Sequence, residues 1–270
     1  MKKIVFFVLI IISTFCKSQE QIDFNIKYLP NYNYTLSLNQ TSENSVKYIG
    51  SEDILLALKN KGIENPTLSK DTIILKSISK TGNLKNNEFP INIELLESNN
   101  SVLTKGTKFS GKYINQKIKI DSIFSSIMTK NQKEALMKMM ESVFNQVEFP
   151  NKKVKVGESF NQETTMSIPI ENVNLEMNIN SLYTLKNIEN GIGYFNLNQE
   201  YSIKSKIEGY DAKITGSGVG KIHYDIENKF YKKYFLEMNM SLNIDIKPII
   251  IEINSKSIFE QNTEIKKTKE

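Results

Sequence analysis

The stretch Tyr234-Phe235-Leu236-Glu237-Met238-Asn239-Met240-Ser241-Leu242-Asn243-Ile244-Asp245-Ile246 decides the fold class. Every second residue is large and apolar, and nearly all the residues between are polar. A period of two places one set of side chains on one face of a strand. The pattern repeats on both sides. Val173, Leu175, Met177, Ile179, Tyr183 and Leu185 alternate, as do Phe195, Leu197, Tyr201, Ile203 and Ile207. Tyr210, Ala212, Ile214, Ile222, Tyr224 and Ile226 form the next run, and Ile249, Ile251, Ile253 and Phe259 the last. Turn signals separate them: Asn190-Gly191, Gly209, Glu227-Asn228 and Lys247-Pro248. These strands run to about 13–17 residues, against the usual ~5–6. Laid straight they would reach about 45–55 Å. The expectation is a mainly β (α+β) fold, a strongly curved antiparallel sheet or half-barrel of long strands.

Upstream, Gln19 to Gly50 reads as an opening hairpin, with Ile22, Phe24, Ile26 and Tyr28 alternating before Pro30 and Tyr32, Tyr34, Leu36 and Leu38 after it. Ser51 to Gly62 reads as a short helix with Ile54, Leu55 and Leu58 on one face. Short strands are expected around 73–79, 91–96, 102–105, 109–114 and 117–120, with turns at Asn99-Asn100 and Asn115-Gln116.

One long amphipathic helix interrupts the strands, Thr129 to Val147, after an introductory turn at Ile123 and Ile127. Thr129-Lys130-Asn131-Gln132 matches a capping box. Leu136, Met140, Val143 and Val147 form an apolar stripe, widened by Met137 and Phe144. Its expected place is the concave face of the sheet. The domain plan is a signal peptide over 1–18 and one β-rich domain over 19–262. That domain divides into an N-terminal half (19–121), the helix (122–148) and a C-terminal meander (149–262). A charged tail over 263–270 follows.

Residues 1–18 carry Lys2-Lys3, a run of twelve from Ile4 to Phe15, and small residues at Cys16 and Ser18. This is the pattern of an export signal cleaved near Ser18. The competing expectation is lipidation at Cys16. The protein is thus expected in the periplasm or outside the cell, with no transmembrane span in the mature chain. Cys16 is the only cysteine, so cleavage at Ser18 removes disulfide, thiolate and zinc–thiolate chemistry. All 35 basic residues are lysine, and the net charge of +5 falls to +2 without residues 1–18. Lysines and acids are interleaved and arginine is absent, which argues against nucleic acid.

Gly216, Gly218 and Gly220 share the face of Ile214 and Ile222, so three side chains are missing in a row. Either a neighbour packs close there, with the helix the expected neighbour, or an apolar ligand fills the space. Met137, Met139 and Met140 on the helix, with Met128 nearby and Met238 and Met240 on a strand, suit an adaptable apolar site or an ordinary core. The candidate ligand set is Leu136, Met137, Met140, Phe144, Gly216, Gly218, Gly220, Met238 and Met240, around a cavity of several hundred Å³. His223, the only histidine, is out of phase with Ile222 and Tyr224 and should face outward. No catalytic residue, metal site or cofactor is expected. Glu158, Glu163, Glu171, Glu176 and Asp211 are the carboxylates a hydrolase would have to use.

The junction Phe149-Pro150-Asn151-Lys152-Lys153-Val154-Lys155-Val156-Gly157-Glu158-Ser159-Phe160 resembles that of an uncharacterised group of exported bacterial proteins, in which it follows a helix and opens a long β-meander. The overall plan is similar to the LolA-like lipoprotein-carrier superfamily, whose half-barrels hold acyl chains under helices. That resemblance implies an apolar ligand between helix and sheet. It carries over no site residue, since the carriers' characteristic arginine has no counterpart here. Three functions are therefore expected, in order. The first is a non-enzymatic envelope protein binding a lipid or other apolar molecule. The second is an interaction module with a packed core and an envelope protein partner. The third is a carboxylate hydrolase.

Overall fold

The computed structural model describes residues 21–146, 150–170, 173–203 and 211–268. The signal sequence, the turn at Gly209 and the residues Ile207 and Tyr210 lie outside them. The fold is mainly antiparallel β. In order, the elements are β1 (Gln21–Asn25), β2 (Tyr32–Ile49), helix α1 (Glu52–Asn60), β3 (Thr67–Thr81), β4 (Glu88–Ser98), β5 (Lys108–Ile114) and β6 (Lys117–Phe124). Helix α2 (Lys130–Gln146) follows, then β7 (Asn151–Lys155), β8 (Ser159–Ile170), β9 (Val173–Glu189), β10 (Ile192–Ile203), β11 (Asp211–Asp225), β12 (Phe230–Ile246) and β13 (Ile249–Lys267). Eleven strands form one sheet in the order β6-β5-β4-β3-β2-β13-β12-β11-β10-β9-β8. Its outermost strands, β6 and β8, do not pair, so it is open rather than a closed barrel.

The expected tight turns form where the chain has Asn and Gly to take positive φ. Asn190-Gly191 (50° and 74°) joins β9 to β10, and Asn115-Gln116 (50° and 65°) joins β5 to β6. Asp225 closes the β11–β12 turn by accepting from the Asn228 backbone N–H at 2.9 Å. Helix α1 turns Ile54, Leu55 and Leu58 to the protein and leaves its other side chains exposed.

Four expectations are corrected. First, β1 does not form a hairpin with β2. It pairs with β7 as a separate two-stranded ribbon, Ile22 opposite Val154. The alternating Ile22, Phe24 and Ile26 drive this, because all three are buried against the large sheet and a β1–β2 hairpin would not carry them there. Phe24 lies 4.5–6.4 Å from Phe160, Tyr183, Phe195, Tyr224 and Tyr231, measured between ring centres. Second, residues 102–105 are not a strand. Asn100 Oδ1 accepts from the N–H groups of Val102 (2.8 Å) and Leu103 (2.9 Å), folding the segment into a loop. Third, Ile123 belongs to β6 and is buried in a cluster, so it opens no helical turn. Fourth, residues 263–267 are no charged tail. They complete β13 and pair with β2 as far as Lys267 opposite Tyr32, with Thr263 buried and Ile265 packed on the core.

The junction before β8 explains its own sequence. Val154 is buried, and Gly157 turns the chain at φ +89°. The Glu158 carboxylate accepts from the Lys155 N–H at 2.9 Å, and Ser159 meets the Thr184 hydroxyl at 2.7 Å. Phe160 then stacks on Tyr183 with ring centres 5.0 Å apart. The motif is a device for docking β7 on the aromatic core and launching the meander.

The capping box of α2 forms as expected. Gln132 Oε1 accepts from Thr129 N–H at 2.8 Å, and Thr129 Oγ1 from Gln132 N–H at 3.3 Å. The helix packs on β6 and touches β8, the two outermost strands.

Candidate functional site

Pairing register defines rows of side chains across the inner face, the face that carries the aromatic core. Above that core, one row reads Ser42, Ser257, Met238, Gly218, Gln199 and Ser181. The next reads Ser69, Asn44, Ser255, Met240, Gly216 and Tyr201. Hydrogen bonds knit these rows laterally. Ser42 and Ser257 share one at 2.8 Å, and Ser255 donates to Asn44 Oδ1 at 2.8 Å. Tyr201 donates to Gln199 Oε1 at 2.6 Å, and Gln199 to Ser181 Oγ at 2.9 Å. Burial, reinforced by nearby Tyr183, pushes the Tyr201 hydroxyl up to about 12, so it stays a donor at neutral pH.

Four of the expected residues, Gly216, Gly218, Met238 and Met240, sit in the middle of this polar band. Gly220 lies one row nearer the core. The missing side chains leave space that neighbouring strands take up. A Cβ on Gly218 would meet Leu236 Cδ1 at 3.1 Å and Tyr201 Oη at 3.3 Å. One on Gly216 would meet the Asn239 carbonyl at 2.9 Å, and one on Gly220 would run into the Phe235 carbonyl. The close neighbour is thus the adjoining strand, not the helix.

Beyond the band the inner face turns apolar. Val46, Ile253, Leu242 and Ile214 form one row, and Tyr48, Ile251 and Ile244 the next, with Ile249 and Ile246 at the end. Ile214 is buried, Ile246 is exposed, and the rest are half-buried. Neither buried cluster of the described residues includes any of them.

Helix residues Leu136, Met137 and Met140 lie elsewhere. They pack, half-buried, on the cluster of Leu95, Phe109, Ile123 and Met128 on the N-terminal side of the sheet. The side chain of Phe144 lies outside the described residues. Among the described side chains, no helix residue is a close neighbour of the glycine stripe, where the sequence reading expected the helix. The β1–β7 ribbon covers the aromatic core.

A prominent cavity also departs from expectation. It measures about 980 Å³ and crosses β3, β2, β13, β12 and β11. Its floor is the row Ser69, Asn44, Ser255, Met240 and Gly216. All ten residues flanking that row in sequence line it, while the inner-face residues two positions away, such as Ser42, Val46, Met238 and Ile253, do not. The cavity therefore opens on the outer face, between Ser, Thr, Asn, Lys and Glu side chains that also present much apolar surface. A sequence gives no signal of such a site, because its Ser, Asn and Thr residues read as ordinary solvent-facing positions of an alternating strand. The apolar field was visible as alternation, but not its lack of a packing partner.

His223 faces outward, with its ring 4.7 Å from that of Tyr194. Burial lowers its pKa, and Lys233 and Lys221 add to the shift. The described candidate carboxylates, Glu158, Glu163 and Glu176, sit at separate places. Glu158 caps a turn, Glu163 lines an outer cavity, Glu176 is exposed on β9, and Glu171 and the Asp211 side chain lie outside the described residues. Among the described residues no group of three or more His, Cys, Asp or Glu could hold a metal ion. None of their helices is long and apolar enough to cross a membrane. The sequence matches no protein-family model and no curated protein.

Proposed function

We propose that this is an exported envelope protein, without enzymatic activity, that binds an amphiphile on the inner face of its sheet. The carrying observation is the juxtaposition of a half-buried apolar field with a hydrogen-bonded hydroxyl and amide band. An acyl chain would lie on Val46, Leu242, Ile244, Ile251 and Ile253. Its polar end would meet Ser42, Asn44, Ser255 and Gln199. Met238 and Met240, at the boundary, adapt to the chain's shape. The reading includes a curved sheet. In support, α2 touches both outermost strands.

A second reading is favoured by the exposed Ile246 and Ile250: a protein partner that covers the same end of the sheet.

Native mass spectrometry of protein purified from its own envelope, with binding of a fluorescent C16 fatty acid, tests the proposal. The expected result is co-purifying lipid and saturable binding, weakened at least tenfold in the double variant Ile251→Asn/Ile253→Asn. No lipid, together with unchanged probe binding in that variant, overturns it. A co-purifying polypeptide in place of lipid selects the second reading.

A further inference from the structure

The outer cavity has a chemistry unlike that of the inner face. Six side chains on its walls, Ser45, Thr215, Ser217, Asn239, Ser241 and Asn254, each carry both a donor and an acceptor. No hydrogen bond among the described residues occupies these side chains. The charged groups are already paired: Lys70 meets Glu43 at 2.8 Å, and Lys256 meets Glu237 at 3.1 Å. The site offers no free cation cluster for a phosphate, and among its wall side chains only Leu68 is large and apolar.

A second cavity of about 480 Å³ shares Thr215, Gly216 and Ser217 with the first. It continues over β10 and β9 to Glu163 on β8, with Asn178, Asn180, Glu200 and Ser202 along it. Together the two cross eight neighbouring strands, seven spacings of about 4.8 Å, or roughly 34 Å. Side chains that both donate and accept recur on the six strands between, β2, β13, β12, β11, β10 and β9, while β3 offers Leu68 and Lys70 and β8 offers Glu163. A single small molecule would use a fraction of this trough.

We propose that the trough binds an extended, neutral polysaccharide chain. Sugar hydroxyls both donate and accept, so they match the Ser, Thr and Asn walls. A polysaccharide presents them repeatedly along its length, as the trough does. An acyl chain would leave those walls unsatisfied, and an anionic polymer would find its lysines paired. With no aromatic platform among the wall side chains, affinity comes from many hydrogen bonds of modest strength and rises with chain length.

Calorimetric titration of the full mature chain with the di- and hexasaccharides of the chitin, cellulose and maltose series tests this, with inorganic phosphate and phosphatidylglycerol vesicles as further probes. The expected result is that at least one hexasaccharide binds, at least tenfold more tightly than its disaccharide. The double variant Asn239→Ala/Asn254→Ala should weaken it about tenfold at an unchanged melting temperature. Ser241→Tyr, which fills the trough, serves where that variant misfolds. The inner-face variant Ile251→Asn/Ile253→Asn should bind the sugar as the parent does, so this proposal and the amphiphile reading fail separately. No binding by any hexasaccharide, equal binding of di- and hexasaccharide, or insensitivity to the trough variants overturns the proposal. So does phosphate or vesicle binding that the trough variants abolish.

Discussion

At one end of the inner face Phe24 is wedged among five aromatic rings, under a ribbon made from the two ends of a long sequence separation. At the other end Val46, Leu242, Ile244, Ile251 and Ile253 stand on the same strands, in the same phase, without a buried partner cluster. Both ends obey one alternation. What separates them is a second layer. The β1–β7 ribbon covers the first end, supplying Ile22, Phe24 and Val154, with Ile26 directly after β1, and no corresponding ribbon joins the second end to a described cluster. Stability is therefore concentrated where the sheet has two layers.

The largest expected effect breaks the covered end. Phe24→Ala removes a fully buried ring and should cost about 3–5 kcal/mol in urea unfolding. Ile253→Ala, on the same face but half-buried, should cost at most about 1 kcal/mol, because little packing is lost. Equal costs would show that the far end is a packed core as well, and the comparison would collapse.

Between the two ends lies the glycine stripe. Gly220→Ala drives a Cβ into the Phe235 carbonyl and should destabilise by about 1–3 kcal/mol. Gly218→Ala meets the more yielding Leu236 Cδ1 and Tyr201 Oη, so its cost should be smaller. Reversed sensitivities would mean that the strand at Phe235 gives way more easily than the side chains do.

Much of this was legible in the sequence, and the failures have one cause. Alternation identifies which residues share a face, and among the described residues the strand phases from Tyr183 to Ile203 and from Ile214 to Phe259 agree with the observed faces. The capping box at Thr129 and the turn at Asn190-Gly191 are local, and local chemistry reads out directly. What alternation cannot say is which apolar face meets which. Ile22, Phe24 and Ile26 looked like half of a hairpin because Tyr32 to Leu38 follow closely. Their true partners, Val154 and Phe160, lie some 130 residues on. The stripe of α2 was likewise real, but its partner is Leu95, Phe109 and Ile123 rather than the glycines. Ile265 was lost among lysines and glutamates because charged neighbours masked a strand that pairs with β2.

The covered end should also respond to alkali. The Tyr224 hydroxyl accepts from the Asn25 N–H at 3.2 Å and reaches the carbonyls of Asp23 (3.1 Å) and Asn25 (3.0 Å), pinning β1 to the sheet. Tyr224→Phe should cost about 1–2 kcal/mol. Burial pushes this hydroxyl, and those of Tyr113 and Tyr201, up to about 12. Their folded pKa values exceed the ordinary value of about 10, so the unfolded chain loses these protons first. Their contribution is complete below pH 10 and disappears as pH rises toward 12. Melting temperature should be level up to about pH 9.5 and fall steeply above it. Tyr224→Phe should make that fall shallower, and an unchanged slope would place the alkaline sensitivity elsewhere.

The smallest effect sharpens the comparison most. Ile246 ends the apolar field and is 38% exposed. Ile246→Ser should change unfolding free energy by no more than about 0.5 kcal/mol, since a surface side chain contributes little to the core. The same substitution shortens the apolar surface available to an acyl chain and should weaken binding of the C16 probe two- to threefold. A residue whose replacement leaves stability unchanged and reduces binding belongs to a ligand surface. A measurable loss of stability with binding intact would instead return Ile246, and the strand end that carries it, to the fold.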